Sequence, residues 1–150
     1  MKNQVFQTGN TFDVQSFSVG HARKVWRRIE EQLPGGFVIK NVSDFVSAGL
    51  IRSGMAVVKD TSNGADEKDI KILKWTDITG AESIDSLGII GFLQEDVPVL
   101  SAQTFATGNV IVKGEIYGYM LGDTPATATA VAPLVKGMTQ KNGLNIRVVD

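Results

Sequence analysis

The sequence contains no cysteine and a single histidine among its 150 residues. The absence of cysteine excludes disulfides, thiol catalysis and the zinc sites that use cysteine ligands. His21 has no histidine or carboxylate at ligand spacing, so we expect it to be solvated or to cap a helix rather than bind a metal. A catalytic triad would have to use the same histidine on an N-terminal arm, which is poor positioning for chemistry that needs rigid geometry.

Long apolar runs are also missing. No stretch approaches the roughly 20 apolar residues of a membrane-spanning helix, and the N-terminus lacks the apolar core of a secretory signal. We therefore expect no membrane association, and we expect lysis or a special machine to be the route if the protein leaves a cell. The content of 43% apolar and 21% charged residues is typical of an ordinary folded protein.

Acidic and basic residues are almost equal in number, but they are unevenly distributed along the chain. The formal net charge of -1 argues against a general nucleic-acid-binding surface. Residues 1–40 nevertheless carry six basic and three acidic side chains, whereas the rest of the chain carries nine basic and thirteen acidic ones. A basic segment on an acidic body indicates either a docking element or a chance excess in a short stretch.

The sequence contains no convergent set of catalytic groups. Glu95 and Asp96 are adjacent carboxylates that read as part of a turn, and no other titratable residue clearly joins them. The acidic loop over residues 60–69 lacks the ligand order of an EF-hand, and we expect its carboxylates to keep the loop solvated. The glycine-rich stretch GIIGFLQ lacks the Lys-Ser/Thr of a phosphate loop. We therefore predict a protein that is not an enzyme and has no cofactor or metal.

The stretch over residues 87–121 organises the chain. Two apolar, β-branched runs, LGIIGFLQEDVPV and NVIVKGEIYGYML, flank a polar bridge. Each run is too short and too rich in glycine for a good helix, so we predict a central pair of strands. Their glycines favour bulges and close approach between strands.

Further strands are predicted on both sides of this pair. Residues 37–42 and 55–59 are apolar and β-branched, and residues 70–75 alternate as IKILKW. The Asn63-Gly64 signal predicts a hairpin that pairs the second of these strands with the third. Residues 144–149 (LNIRVV) also alternate and predict a final strand.

The N-terminal 40 residues read as an arm followed by an amphipathic helix. Residues 1–15 predict an extended arm with Phe6 and Phe12 as apolar anchors. Over residues 16–33 apolar side chains recur at helical spacing, and Pro34-Gly35-Gly36 predicts a sharp end. This stripe either packs on its own domain or meets a partner. In the second case the contact residues are Phe6, Phe12, Arg23, Lys24, Trp26, Arg27 and Arg28.

The segment over residues 122–138 is rich in alanine and threonine. A helix that starts near Thr124 with Pro125 at its first position is one prediction, and an extended linker is the alternative. Taken together, the patterns predict a mainly β (β-rich α+β) protein. Its small barrel-like or sandwich-like domain spans residues 41–150, and the arm and one amphipathic helix span residues 1–40.

From Gly54 onward the order of elements resembles the head decoration, or capsid cement, proteins of tailed bacteriophages of the phage lambda type. The resemblance covers residues 54–149, whereas residues 16–53 look like an elaboration of the family pattern. It rests on the strands GMAVVKD, KILKW, SLGIIGFLQEDV and NVIVKGEIYGYML, the Ala/Thr-rich segment and the last strand NIRVV.

The resemblance implies a β-rich homotrimer at local threefold sites on the capsid surface of the virion. It also implies that the N-terminal arms bind the major capsid protein, and that the protein passes through the host cytoplasm during assembly. Two alternatives stay open. The chain is otherwise another virion component, such as a head-fibre base or a tail protein, or a small β-barrel ligand-binding module.

Overall fold

The computed structural model describes residues 25–78, 87–138 and 144–149. Within them the chain is mainly β with one α-helix, and the principal sheet curls into a half-barrel, which confirms the predicted fold class. The strands are β1 (Trp26–Gln32), β2 (Phe37–Ile39), β3 (Leu50–Ile51), β4 (Ala56–Lys59), β5 (Asp69–Ile72), β6 (Ile89–Leu93), β7 (Val97–Pro98), β8 (Ala106–Gly108), β9 (Val110–Tyr117) and β10 (Asn145–Val149). The helix is α1 (Pro125–Met138), and short 3-10 helices span Val42–Phe45, Trp75–Asp77 and Gly118–Met120.

The principal sheet runs in the order β1-β9-β6-β4-β5-β2-β8, and β10 adds to β9 outside this path. β4 and β5 form the predicted antiparallel pair, joined by a loop in which Gly64 adopts a positive φ of 82°. β6 and β9, the predicted central pair, are antiparallel neighbours through Phe92–Ile111 and Leu93–Val110. β3 and β7 form a separate two-stranded sheet.

Strand β9 is the branch point of the sheet. Along one side it pairs with β1 from Ile111 to Ile116. Along the other side it pairs first with β6, at Val110 and Ile111, and then with β10 from Lys113 to Tyr117. Three strands therefore depend on β9 for their backbone hydrogen bonds, and two of them, β6 and β10, share one of its edges.

The core fills the inside of the curled sheet. Strong β-formers from each of the central strands are fully buried, so the apolar runs predicted as strands supply the core as expected. Over the described residues as a whole, the largest fully buried side chains include Phe92, Ile39, Ile51, Ile70, Ile72, Ile89, Leu93, Ile111, Ile116, Leu121 and Ile146.

Helix α1 connects β9 to the parallel strand β10 and packs against β10. Thr124 precedes the helix, and its hydroxyl accepts a hydrogen bond from the Thr127 amide at 3.2 Å, as an N-cap residue does. Pro125 occupies the first helical position, so the helix prediction is confirmed and the linker alternative is wrong. Val131 and Val135 bury the inner face of the helix.

The amphipathic helix predicted for residues 16–33 is wrong where the structure describes it. Trp26–Gln32 is strand β1, paired antiparallel with β9, and residues 16–24 lie outside the described part of the chain. Two register shifts insert extra residues into β1, at Arg27 and at Glu30, and a third, between Glu31 and Gln32, inserts one into β9. Such bulges break the two-residue alternation that marks a strand, which is why Trp26 and Ile29 fall at helical spacing.

The described end of the N-terminal segment belongs to the principal sheet. β1 lies beside β9, and β2 lies between β5 and β8. Residues 25–39 thus share one sheet and one core with strands from residues 41–150, on the far side of the predicted boundary.

Candidate partner-binding surface

Three of the seven predicted contact residues lie in the described part of the chain. Trp26, Arg27 and Arg28 begin β1, whereas Phe6, Phe12, Arg23 and Lys24 lie outside the described residues. Of the three, Arg27 and Arg28 are exposed and Trp26 is buried.

Trp26 fixes the start of β1 to the core. Its side chain is 7% exposed, and its indole Nε1 donates a hydrogen bond to the Leu93 carbonyl at 3.1 Å. On the chain just before it, the Val25 carbonyl accepts a hydrogen bond from the Tyr117 amide at 2.9 Å. The structure therefore places Trp26 inside the protein, where its ring is not available as a contact residue.

Arg27 and Arg28 belong to a mixed charge ladder across β1, β9 and β10. Arg27 lies 3.6 Å from Glu115, which also binds Arg147. Arg28 lies 3.4 Å from Glu30 on the same strand. The ladder consists of Arg27, Arg28, Glu30, Lys113, Glu115 and Arg147. The basic side chains are 45–66% exposed, whereas the side chains of Glu30 and Glu115 are 22% and 13% exposed. Ion pairs with such exposed partners are individually weak, and together they balance the basic charge of this strand.

The outer edge of β1 is open among the described residues. The sheet path ends at β1, and all its residues after Trp26 are exposed. Ile29 is 41% exposed in the middle of this charged strand. Within the described ranges, Glu31 makes no ion pair. An open strand edge can accept a further strand, and the charges on β1 limit which strands can pair with it.

A second surface lies at the other end of the sheet, beside β8. Leu100 and Phe105 are 45% and 59% exposed, and they flank a short loop before this strand. Phe105 lines a cleft of about 590 Å³ together with Glu95 and Asp96. Asp96 has a structural partner there, because its carboxylate accepts a hydrogen bond from the Ser53 amide at 2.7 Å.

A third surface carries two tyrosines. Tyr119 is 60% exposed, and its ring centre lies 5.4 Å from that of Tyr117. Tyr119 lines a groove of about 610 Å³ between α1 and the end of β10, with Ala128, Ala132 and Val148 as neighbours. The groove is shallow and mostly apolar.

Two other kinds of site are absent from the part of the chain that the structure describes. Within residues 25–78, 87–138 and 144–149, no three acidic or histidine side chains are grouped closely enough to hold a metal ion. Among the helices of the same ranges, none has the length and apolar character needed to cross a bilayer.

Comparison with known proteins identifies no relative. No protein-family model matches the chain, and no curated protein or solved structure matches it significantly.

Proposed function

We propose that this chain is a structural virion protein that binds the outside of an icosahedral phage capsid. It acts as a homotrimer at local threefold sites and stabilises the shell. The observation that supports the proposal best is the succession of elements after Gly54. Strands β4, β5, β6 and β9, then a helix, then β10 follow in the order expected from the resemblance, with the short strands β7 and β8 added between β6 and β9.

The mechanism is thermodynamic rather than chemical. A protein that binds the expanded shell and not its precursor stabilises the expanded shell by mass action. Three arms on one trimer bind with a raised effective concentration once the first arm is bound. A cyclic threefold assembly also matches the symmetry of the site that it covers.

The start of β1 attaches the proposed N-terminal arm firmly to the sheet. Residues 1–24 join the sheet at Val25, which is buried and hydrogen-bonded to β9. The next residue, Trp26, is anchored to Leu93. A capsid contact made by Phe6, Phe12, Arg23 or Lys24 would therefore act on a strand that is fixed at its first residue, Trp26, and at the residue before it, Val25.

Deletion of residues 1–15 tests the proposal. We expect the shortened protein to keep its circular dichroism spectrum and melting temperature, because the deletion ends well before β1. Co-sedimentation with expanded phage heads should be lost. The matched control is Phe105→Ala, which removes an exposed aromatic residue at the opposite end of the sheet and should leave binding unchanged. Binding of the shortened protein at full strength would refute the docking role of the arm.

The cleft beside β8 favours a second candidate, a small-molecule binding module. Its lining combines Glu95, Gln103 and Asn109 with the exposed ring of Phe105. A saturable ligand in a thermal-shift screen, lost in Glu95→Ala and retained after deletion of residues 1–15, would support this candidate. Electron cryo-microscopy of virions separates a capsid position from a fibre or tail position by where the density lies.

A further inference from the structure

The outer edge of β1 has the features of a strand that pairs with a copy of itself. β1 ends the described path of the sheet, so no described strand takes up the backbone groups on its outer side. The residues from Arg27 to Gln32 are all exposed. The position in the middle of these charges is occupied by an apolar residue, Ile29, whose side chain is 41% exposed.

The order of side chains on this strand is self-complementary. The sequence reads Trp-Arg-Arg-Ile-Glu-Glu-Gln from residue 26 to residue 32. In an antiparallel pair of two such strands related by a twofold axis at Ile29, Arg27 comes next to Glu31 of the second copy and Arg28 comes next to its Glu30, with Arg27 and Glu30 in the bulges that β1 makes against β9. The two Ile29 side chains face each other at the centre. Opposite charges and apolar pairs in directly facing positions stabilise antiparallel strands.

We propose that β1 pairs antiparallel with β1 of a second copy of this chain, about a twofold axis at Ile29. The contact continues the principal sheet from one molecule into the next. It is isologous and closed, because the same surface serves both partners.

Other arrangements of the same two strands are less favourable. A parallel pair in register places Arg27 opposite Arg27 and Glu31 opposite Glu31, and like charges in facing positions repel. A shift of one residue in the antiparallel register leaves either Arg27 facing Glu30 or Arg28 facing Glu31, and in both cases Ile29 faces a charge. The charges on this edge disfavour pairing with unrelated strands, and they favour a second β1 in the antiparallel register centred on Ile29.

The ion pairs within one molecule do not use all the hydrogen-bonding sites of these charged side chains. Glu31 makes no ion pair among the described residues, so its carboxylate is available to Arg27 of the second copy. Glu30 lies 3.4 Å from Arg28 and 3.6 Å from Lys113. A carboxylate has about four lone-pair sites on its two oxygens, so Glu30 can accept a further guanidinium. Arg27 and Arg28 each keep exposed nitrogen donors, because their side chains are 57% and 66% exposed.

Charge-swapped variants test the pairing by mixing. R27E/R28E makes the strand wholly acidic, and E30R/E31R makes it wholly basic. We expect the association through β1 to be about tenfold or more weaker in each variant alone than in the native protein, measured by sedimentation velocity as growth beyond any species assembled through other surfaces. The equimolar mixture should associate again, because every facing pair is then of opposite sign. The fourfold variant R27E/R28E/E30R/E31R restores self-complementarity and should associate as the native protein does, which controls for the loss of ion pairs within one molecule.

A crosslink measures the register directly. The chain has no cysteine, so Ile29→Cys introduces a single thiol at the proposed axis. Mild oxidation should give a covalent dimer on a non-reducing denaturing gel, and R27E/R28E added to that variant should suppress it. Leu100→Cys is the matched control, because Leu100 is exposed to a similar degree at the other end of the molecule. It should crosslink only slowly.

Two results would overturn the proposal. One is a self-association that is equal in the native protein, both charge variants and their mixture. The other is a crosslinking rate at position 29 no greater than that at position 100. Both measurements use the protein alone, so they are independent of whether it binds a capsid.

Discussion

Trp26 shows at the scale of single residues how burial changes the meaning of a side chain. An aromatic residue next to a run of arginines suggests an anchor for a partner. In the structure its ring is in the core, and its indole N–H binds the Leu93 carbonyl. That carbonyl also accepts the Gly54 amide at 2.8 Å, so the tryptophan connects β1 to the turn before β4.

Substitution of Trp26 should therefore affect stability. We expect Trp26→Ala to lower the free energy of unfolding by about 3–5 kcal/mol, through the loss of buried ring and the cavity that remains. Trp26→Phe should cost less, about 1–2 kcal/mol, because the Leu93 carbonyl keeps its bond from Gly54. Urea denaturation measures both, and the exposed neighbour Arg27→Ala should cost less than about 1 kcal/mol. An alanine variant as stable as the native protein would contradict this role.

The acidic loop over residues 60–69 divides into two kinds of carboxylate. Asp69 was expected to be solvated, but it lies in β5 with 5% exposure, accepts a hydrogen bond from the Asp66 amide and pairs with Lys40 at 3.7 Å. Asp60 at the start of the loop accepts bonds from the hydroxyl and amide of Ser62, at 2.6 and 3.0 Å. The sequence shows only that both are acidic, because burial depends on how β4 and β5 pair.

The pKa of Asp60 should reflect this environment. The Ser62 hydroxyl bond, then the Ser62 amide bond and Lys71, lower the pKa of this carboxyl from its ordinary value of 3.8. Because the folded-state pKa is lowered, the stabilisation is present above about pH 4 and is lost as the pH falls through the lowered pKa. An NMR titration of the carboxyl carbon should show a pKa below 3.8 in the native protein.

Ser62→Ala provides the comparison for that titration. It removes the hydroxyl that contributes most, so the pKa of Asp60 should rise toward its ordinary value. In Asp60→Asn the acid limb of the stability profile should flatten below about pH 4. An identical Asp60 titration in the native protein and Ser62→Ala would contradict the assignment.

At the scale of elements, the strands with regular patterns were predictable and the irregular strand was not. The runs that became β4, β5, β6 and β9 have strong β-formers and turn signals on both sides. β1 instead carries bulges and only one buried residue, so its apolar spacing resembles that of a helix. Its strand structure comes from pairing with β9, more than eighty residues later in the chain, which no local pattern contains.

For the contact residues on β1, the sequence predicted the exposed residues but not their ion-pair partners. The sequence identified Arg27 and Arg28 as exposed basic residues. It did not identify Glu115 and Arg147 as their neighbours, because β9 and β10 bring them there only in the folded sheet. Phe105 had a visible signal, an aromatic ring inside the polar bridge LSAQTFATG, although no contact was predicted for it.

The close approach predicted for glycines in the central strands can be tested at Gly91. A Cβ there would lie 2.7 Å from the Ile111 carbonyl oxygen and would also meet the Val110 side chain. Since backbone cannot move aside as a flexible side chain does, Gly91→Ala should lower the free energy of unfolding by about 1–3 kcal/mol. Gly36→Ala has no atom near its added methyl group and should change stability by no more than about 0.5 kcal/mol. Equal melting temperatures for the two variants would refute the close approach.

At the scale of the whole molecule, the mainly β class followed from composition and pattern, whereas the topology did not. The parallel placement of β10 beside β9, across α1, needs two strands and a helix to be positioned together. Likewise, the division near residue 40 followed the change in charge along the chain, but charge does not determine which strands share a sheet.

The proposed assembly predicts a mass in solution. R27E/R28E should sediment as a discrete species of three chains, because it lacks the pairing proposed for β1 and keeps the other surfaces unchanged. The native protein should show the same species at low concentration and larger ones as concentration rises. If R27E/R28E is a monomer under all conditions and the native protein has no affinity for phage heads, the threefold proposal is contradicted and the crosslinking test of β1 is unaffected.

The position of β9 late in the chain also determines when β1 can join the principal sheet during synthesis. β1 is among the first described residues to be made, yet its partner β9 is synthesised only after β2 to β8. Until then β1 has no strand to pair with, and Trp26 has no closed core to enter. Long separation between paired segments slows folding. A ribosome that stalls before residue 110 would thus hold a chain with most of its strands made and its first one still unpaired.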